Sequence, residues 1–125
     1  MKKIPYAVGS FEQIIQNDYY YVDKTRYIES LENWQVPVFL RPRRFGKSLW
    51  CSTLDCYYDI NRKEKFDALF GATWIGRHPT SLHNSFLVLR LNFSVVSVKP
   101  DITYLEDSFT FTQGATIKSF WSYYG

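Results

Sequence analysis

Two apolar runs predict the β-strands of this chain. Val36 to Leu40 is a short apolar run in which Pro37 is confined to the beginning, as expected for a buried strand. Phe86 to Phe93 is the strongest strand candidate, because its nearly continuous apolar character is typical of a strand covered on both faces. Both runs therefore predict interior strands of a sheet.

Helices are predicted around these runs. A short helix is predicted over Phe11 to Gln16, and a second begins after Asp23, which is a good N-cap. Further helices are predicted over Lys47 to Ile60 and Lys63 to Phe70, whereas Trp74 to Ser85 has the composition of a loop. Apolar side chains recur at helical spacing in two places, namely Trp50, Leu54, Tyr57 and Tyr58, and Ile117, Phe120, Trp121 and Tyr124.

The order of these elements predicts an α/β fold. Two strands joined through a helix form a βαβ unit, which favours a parallel sheet with helices outside. Two strands make a poor sheet, because stable α/β domains have several more. We therefore expect residues 1–125 to be the N-terminal part of a single α/β domain whose sheet is incomplete.

Composition limits the class of protein. The 125 residues suffice for one small domain, and 46% apolar with 19% aromatic residues argue against disorder. No signal peptide or membrane span is recognisable, which predicts a soluble cytoplasmic protein with no membrane partner. Cys51 and Cys56 fit no metal or redox spacing, so we expect small core residues in a reducing compartment.

Net charge is mild but local. The formal charge is +3, yet Arg41, Arg43, Arg44 and Lys47 fall within one short stretch. Such a cluster, with the tyrosines at 19–21, also suits nucleic-acid binding by phosphate contacts and base stacking. Because aromatic residues are spread along the whole chain, nucleic-acid binding is the alternative hypothesis and nucleotide binding is the preferred one.

The chemical motif is a variant phosphate-binding loop at 41–48, Arg-Pro-Arg-Arg-Phe-Gly-Lys-Ser. A P-loop is G-x-x-x-x-G-K-[ST] between a strand and a helix, and here Gly46, Lys47 and Ser48 match while Arg41 replaces the first glycine. Backbone N–H groups and the helix dipole would hold phosphates. Lys47 would reach the β- and γ-phosphates and Ser48 would be a ligand of Mg²⁺.

The missing first glycine changes the expected turn. Arg41 precedes Pro42 and should be extended, so the loop must turn another way, and Arg43 or Arg44 can add charge toward the phosphates. The predicted cofactor-binding residues are Arg43, Arg44, Phe45, Gly46, Lys47, Ser48 and Leu49, with ATP and Mg²⁺ as cofactors. The same tripeptide also arises by chance, and the strand and helix predicted around it favour the functional reading.

The whole chain resembles the AAA-ATPase-like family, a group of bacterial P-loop proteins. Besides the string at 41–49, the opening Ile4-Pro5-Tyr6, the segment Tyr20 to Thr25 and the run Phe86 to Ser94 are similar to that family's sequences. The resemblance implies a P-loop NTPase-like parallel sheet with flanking helices that binds a nucleoside triphosphate.

Two departures bear on activity. The second predicted strand carries Asn92 where the family often has Asp, and the resemblance implies that Walker B carboxylates would lie on a further strand. We therefore expect a chain truncated before that strand, with nucleotide binding but no catalytic residue of its own. Asp101, Glu106 and Asp107 are interpreted as solvated loop residues. A basic interaction module or a non-functional remnant stays an alternative.

Overall fold

The computed structural model describes residues 1–96 and 101–125, which form two compact units, Met1–Phe86 and Leu87–Gly125. The described residues contain the α-helices α1 (Phe11–Gln16), α2 (Tyr27–Leu31), α3 (Lys47–Tyr58), α4 (Phe66–Phe70), α5 (Trp74–Arg77) and α6 (Ile102–Tyr124). Two 3-10 segments accompany them, at Ile60–Lys65 and Phe93–Val95.

The predicted parallel sheet is wrong. In the described ranges neither apolar run forms a strand, and the single bridge that forms pairs Asp59 with Phe86. A strand needs a neighbouring backbone to accept and donate its hydrogen bonds. Val36 and Leu40 are 83% and 87% exposed, and Leu87 is 59% exposed, so apolar character alone did not bury these runs. The α/β class is replaced by a helical one over the described residues.

The first unit is built on an aromatic core. Phe11 of α1, Tyr57 of α3 and Phe70 of α4 are fully buried, with ring centroids 4.8 Å apart for Phe11 and Phe70 and 5.5 Å for Tyr57 and Phe70. Burying such a side chain stabilises a fold by about 1.5–3 kcal/mol. Ile28 of α2 and Ile75 of α5 complete the core, so every helix of this unit contributes to it.

Helix α3 buries small polar side chains as well as Tyr57, and the rest of its apolar stripe is half-buried. Ser52, Thr53 and Cys56 are buried beside Tyr57. The core role predicted for Cys56 is confirmed, and burial raises the pKa of its thiol to about 11, while Cys51 is exposed and its predicted core role is wrong. The helix starts at Lys47 as predicted and ends at Tyr58.

Asp23 does not cap α2, where Arg26 is the N-cap. Its Oδ1 accepts from the N–H and hydroxyl of Thr25, at 2.8 and 2.7 Å, and its Oδ2 accepts from the N–H of Trp74 at 2.7 Å. Thr25 Oγ1 in turn accepts from the N–H of Ile75 at 3.1 Å. Asp23 and Thr25 therefore accept hydrogen bonds from the first backbone N–H groups of α5. This helix lies in the stretch that was predicted to be a loop.

The second unit is dominated by α6. This helix begins at Ile102, far before the predicted stripe, and Asp101 caps it by accepting from the N–H of Thr103 at 3.0 Å. Asp101, Glu106 and Asp107 are exposed as predicted, but the latter two lie on the helix and not in a loop. Tyr124 accepts a hydrogen bond from the N–H of Val88 at 2.9 Å, which joins the apolar run to the C-terminal end of the helix.

Within the described ranges, no helix combines the length and the apolar character needed to cross a membrane.

Candidate functional site

The loop at 41–48 follows the apolar run at 36–40, and its last two residues, Lys47 and Ser48, begin α3. Its backbone enters the left-handed region twice, at Arg44 with φ 66° and at Gly46 with φ 78°. Gly46 reaches this conformation without steric cost, whereas Arg44 is held there at a cost of about 1–2 kcal/mol. This pair of turns reverses the chain into the helix, so the loop turns without a glycine at position 41.

The N-terminus of α3 presents free backbone donors to the loop. The first backbone hydrogen bond of the helix joins the N–H of Trp50 to the carbonyl of Gly46 at 2.9 Å. Among the described residues, no side chain caps this end of the helix. The N–H groups of Lys47, Ser48 and Leu49 therefore have no acceptor within the helix, and they lie at the positive end of a helix of 12 residues. Such an end favours a bound anion.

Lys47 closes the loop on itself. Its ammonium Nζ donates to the carbonyl of Arg41 at 2.8 Å, so that the first and seventh residues of the motif are joined. The side chains of Arg41, Arg43 and Lys47 are all exposed. An exposed hydrogen bond contributes little net stability, so a phosphate oxygen can replace the carbonyl as the acceptor of this ammonium.

The N-terminal segment at 5–9 lies against this loop. A β-carbon placed on Gly9 would be 3.6 Å from Cβ of Ser48, which is ordinary contact distance. The segment is fixed at both ends, because Lys3 accepts from the N–H of Tyr20 at 2.9 Å and Phe11 donates to Oγ of buried Ser52 at 3.0 Å. Segment and loop are therefore held together by α1 and α3.

A cavity of about 570 Å³ lies between the segment and the loop. This volume is within the range of small-molecule sites, about 300–1,000 Å³. Arg44, Lys47 and Ser48 line it from the loop. Its apolar lining comes from Pro5, Tyr6 and Val8 of the segment, together with Ile14 of α1 and Leu49 of α3. Among the described residues that line the cavity, none is acidic.

Five of the predicted site residues are brought together here, since Arg44, Gly46, Lys47, Ser48 and Leu49 all line the cavity. Arg43 and Phe45 are exposed and do not line it in the described part of the chain.

Sequence reasoning missed the segment at 5–9, which forms the second side of the cavity. The opening Ile4-Pro5-Tyr6 was the available signal, but its sequence gives no sign of the loop it approaches. Ala7, with φ 55°, is a further residue in the left-handed region, where backbone strain is a pointer to function.

The predicted metal ligand Ser48 lies at the cavity, but its hydroxyl is a single oxygen. Across residues 1–96 and 101–125, no group of three or more His, Cys, Asp or Glu side chains could hold a metal ion. Mg²⁺ takes octahedral oxygen coordination and in nucleotide sites draws much of it from water and substrate phosphates. The donor set therefore fits a metal delivered with a triphosphate, and does not fit a metal held by protein alone.

Comparison with known proteins gives one family. The family model described as "Predicted AAA-ATPase" matches residues 5–124. The chain is also 35% identical over 102 residues to an "Uncharacterized protein in vnfD 5'region" of Azotobacter chroococcum mcd 1. That alignment covers 74% of this chain and 17% of the relative, so the chain spans about a sixth of that protein. No solved structure matches significantly. The chain belongs to the AAA-ATPase-like family.

Proposed function

We propose that this chain binds a nucleoside triphosphate, ATP with Mg²⁺, at the cavity between the loop at 41–48 and the segment at 5–9. The observation that carries the proposal is the arrangement of Lys47, Ser48 and the first amides of α3 around a cavity without acidic lining in the described residues. Membership of a family named for ATPases supports the choice of nucleotide.

The first turn of α3 and the side chains of the loop would each contact a different part of the triphosphate. The amides of the first turn of α3 would donate to phosphate oxygens, and the helix dipole would favour their charge. Lys47 would exchange the carbonyl of Arg41 for a phosphate oxygen, a stronger charge-assisted bond. Arg44 adds a second cation to the same cavity, and Ser48 offers one oxygen to the Mg²⁺ that accompanies the triphosphate.

The proposal concerns binding. Hydrolysis also requires a group that orients the attacking water beyond the γ-phosphate. An arginine stabilises charge but does not accept a proton, so the loop arginines cannot do this.

The expected loss of ATP affinity in Lys47→Ala follows from the replacement of the Arg41 carbonyl by a phosphate oxygen as the acceptor of Lys47. A hydrogen bond to a charged group contributes about 1.5–3 kcal/mol, and giving up the exposed bond to Arg41 offsets about 0.5–1.5 kcal/mol of it. Lys47→Ala should therefore weaken ATP binding by about 1–2 kcal/mol, or about five- to thirtyfold.

Titration calorimetry of Mg²⁺-ATP at fixed ionic strength measures this loss. Lys63→Ala is the matched control, because Lys63 is an exposed lysine of the 3-10 segment Ile60–Lys65 and its removal changes the net charge equally. Equal losses in both variants would show that bulk charge attracts the ligand. Binding of DNA that falls steeply with salt and is insensitive to ATP would favour the basic interaction module instead.

A further inference from the structure

We infer that the N-terminal segment at 5–9 forms the base-binding half of the nucleotide site, with Tyr6 stacking on the planar base of the nucleoside triphosphate. This inference rests on the proposed function, because it gives a role to the segment at 5–9, which lines the cavity but would not contact the phosphates. The chemistry recognised is that of any aromatic nucleobase attached to the bound triphosphate.

The two sides of the cavity have different chemistry. Cations and a hydroxyl come from the loop, through Arg44, Lys47 and Ser48, while Pro5, Tyr6 and Val8 come from the segment. A nucleotide has the same division, since its phosphates are anionic and its base is flat and apolar on both faces. An inorganic polyphosphate would contact only the loop side of the cavity and would leave the segment side without a ligand.

The segment is built to hold such a wall in place. Its ends are fixed by the bonds from Tyr20 to Lys3 and from Phe11 to Ser52, and Ser10 caps α1 with its hydroxyl. Ala7 lies in the left-handed region between these anchors.

Tyr6 is the aromatic residue of this wall. Its side chain lines the cavity and yet is 94% exposed, so it makes almost no contribution to the core of the first unit. An aromatic ring in that position can stack on a base without any rearrangement of the helices.

Gly9 brings the wall close to the phosphate loop. The near contact of Gly9 with Ser48 places the segment beside the residue that would meet Mg²⁺ and the phosphates. The nucleoside of a triphosphate held by the loop would therefore be within reach of the segment at 5–9.

Comparing two probes separates the base from the phosphates. Affinities of Mg²⁺-ATP and of Mg²⁺-tripolyphosphate are measured by calorimetry for wild type, Tyr6→Ala, Tyr6→Phe and Tyr27→Ala. Stacking on an aromatic side chain is lost on substitution by alanine, so Tyr6→Ala should weaken ATP binding between about fivefold and a hundredfold. It should leave tripolyphosphate affinity unchanged, and Tyr6→Phe should behave as wild type.

Tyr27→Ala is the matched control, because Tyr27 is also an exposed tyrosine but lies on α2 and not among the described residues that line the cavity. Since Tyr6 is almost fully exposed, the variant should fold, which circular dichroism verifies. An unchanged ratio of ATP to tripolyphosphate affinity in Tyr6→Ala would overturn the inference and leave the phosphate site standing. Equal weakening of both probes would also overturn it, and absence of Mg²⁺-ATP binding in wild type would remove the proposed function as well.

Discussion

Gly46 is the position at which the loop backbone turns into α3, with φ 78° and ψ 19°. A β-carbon added there meets no atom within 4 Å, so replacing Gly46 by alanine changes only the backbone energy. The left-handed conformation costs an alanine about 1–2 kcal/mol, and the stiffer unfolded chain returns about 0.4–1 kcal/mol. We expect Gly46→Ala to lower the free energy of unfolding by about 0.5–1 kcal/mol.

Gly114 provides a control with the opposite expected sign. It lies in the interior of α6, and a β-carbon there also meets no atom within 4 Å. Alanine is more favourable than glycine in a helix by about 0.8–1 kcal/mol, so Gly114→Ala should stabilise its unit. Gly46→Asn should lose less than Gly46→Ala, because asparagine tolerates the left-handed region.

Urea unfolding followed by tryptophan fluorescence and far-UV circular dichroism measures both effects. The two compact units need not unfold together, so each transition is fitted separately before free energies are compared. A loss in Gly46→Ala with a gain in Gly114→Ala supports the loop geometry. If Gly46→Ala is neutral or stabilising, the loop does not hold the left-handed turn at Gly46 and the geometry on which the proposed phosphate site depends is wrong.

The remaining predictions concern the framework of the first unit. Ser52→Ala should cost about 1–3 kcal/mol in urea unfolding, because the N–H of Phe11 would be buried without its acceptor; a loss below 0.5 kcal/mol would argue against that bond. Asp23→Ala should cost less, about 0.5–1.5 kcal/mol, because its bond to the N–H of Trp74 is exposed, with weaker amide protection in the first turn of α5 as the local readout. Hydrogen bonds and charge from Arg62 and Lys65 lower the pKa of Glu12, so its stabilisation is present above the unfolded-state pKa and is lost as pH falls through the lower folded pKa. Stability measured from pH 6 to pH 3 should fall less in Glu12→Gln than in wild type, and parallel curves would contradict this ion pair.

Local sequence determined several helices of this protein. The helix over Phe11–Gln16 has the predicted bounds, and α3 begins at Lys47 directly after the glycine of the motif. The stripe from Ile117 to Tyr124 lies within α6 as predicted. Helices could be predicted because their hydrogen bonds join residues four apart, so the pattern and the bonding partners lie in the same stretch of sequence.

The sheet could not be determined in this way. Strand bonds join segments distant in the chain, and the apolar run at 36–40 has the composition of a strand without belonging to one in the described structure. The same limit applied to Asp23, whose sequence suggested a cap for the next helix while its Oδ2 bonds to Trp74, 51 residues away.

The candidate site shows both cases. Gly46, Lys47 and Ser48 were predicted from the spacing of the motif and line the same cavity in the structure, because the motif and the helix that follows it are contiguous in sequence. The opposite wall, with Tyr6 and Val8, was found only in the tertiary structure, because it depends on the bond from Phe11 to Ser52, 41 residues apart. Packing of α1 against α3 decides where that segment lies, and no local pattern encodes which distant helix a short segment will contact.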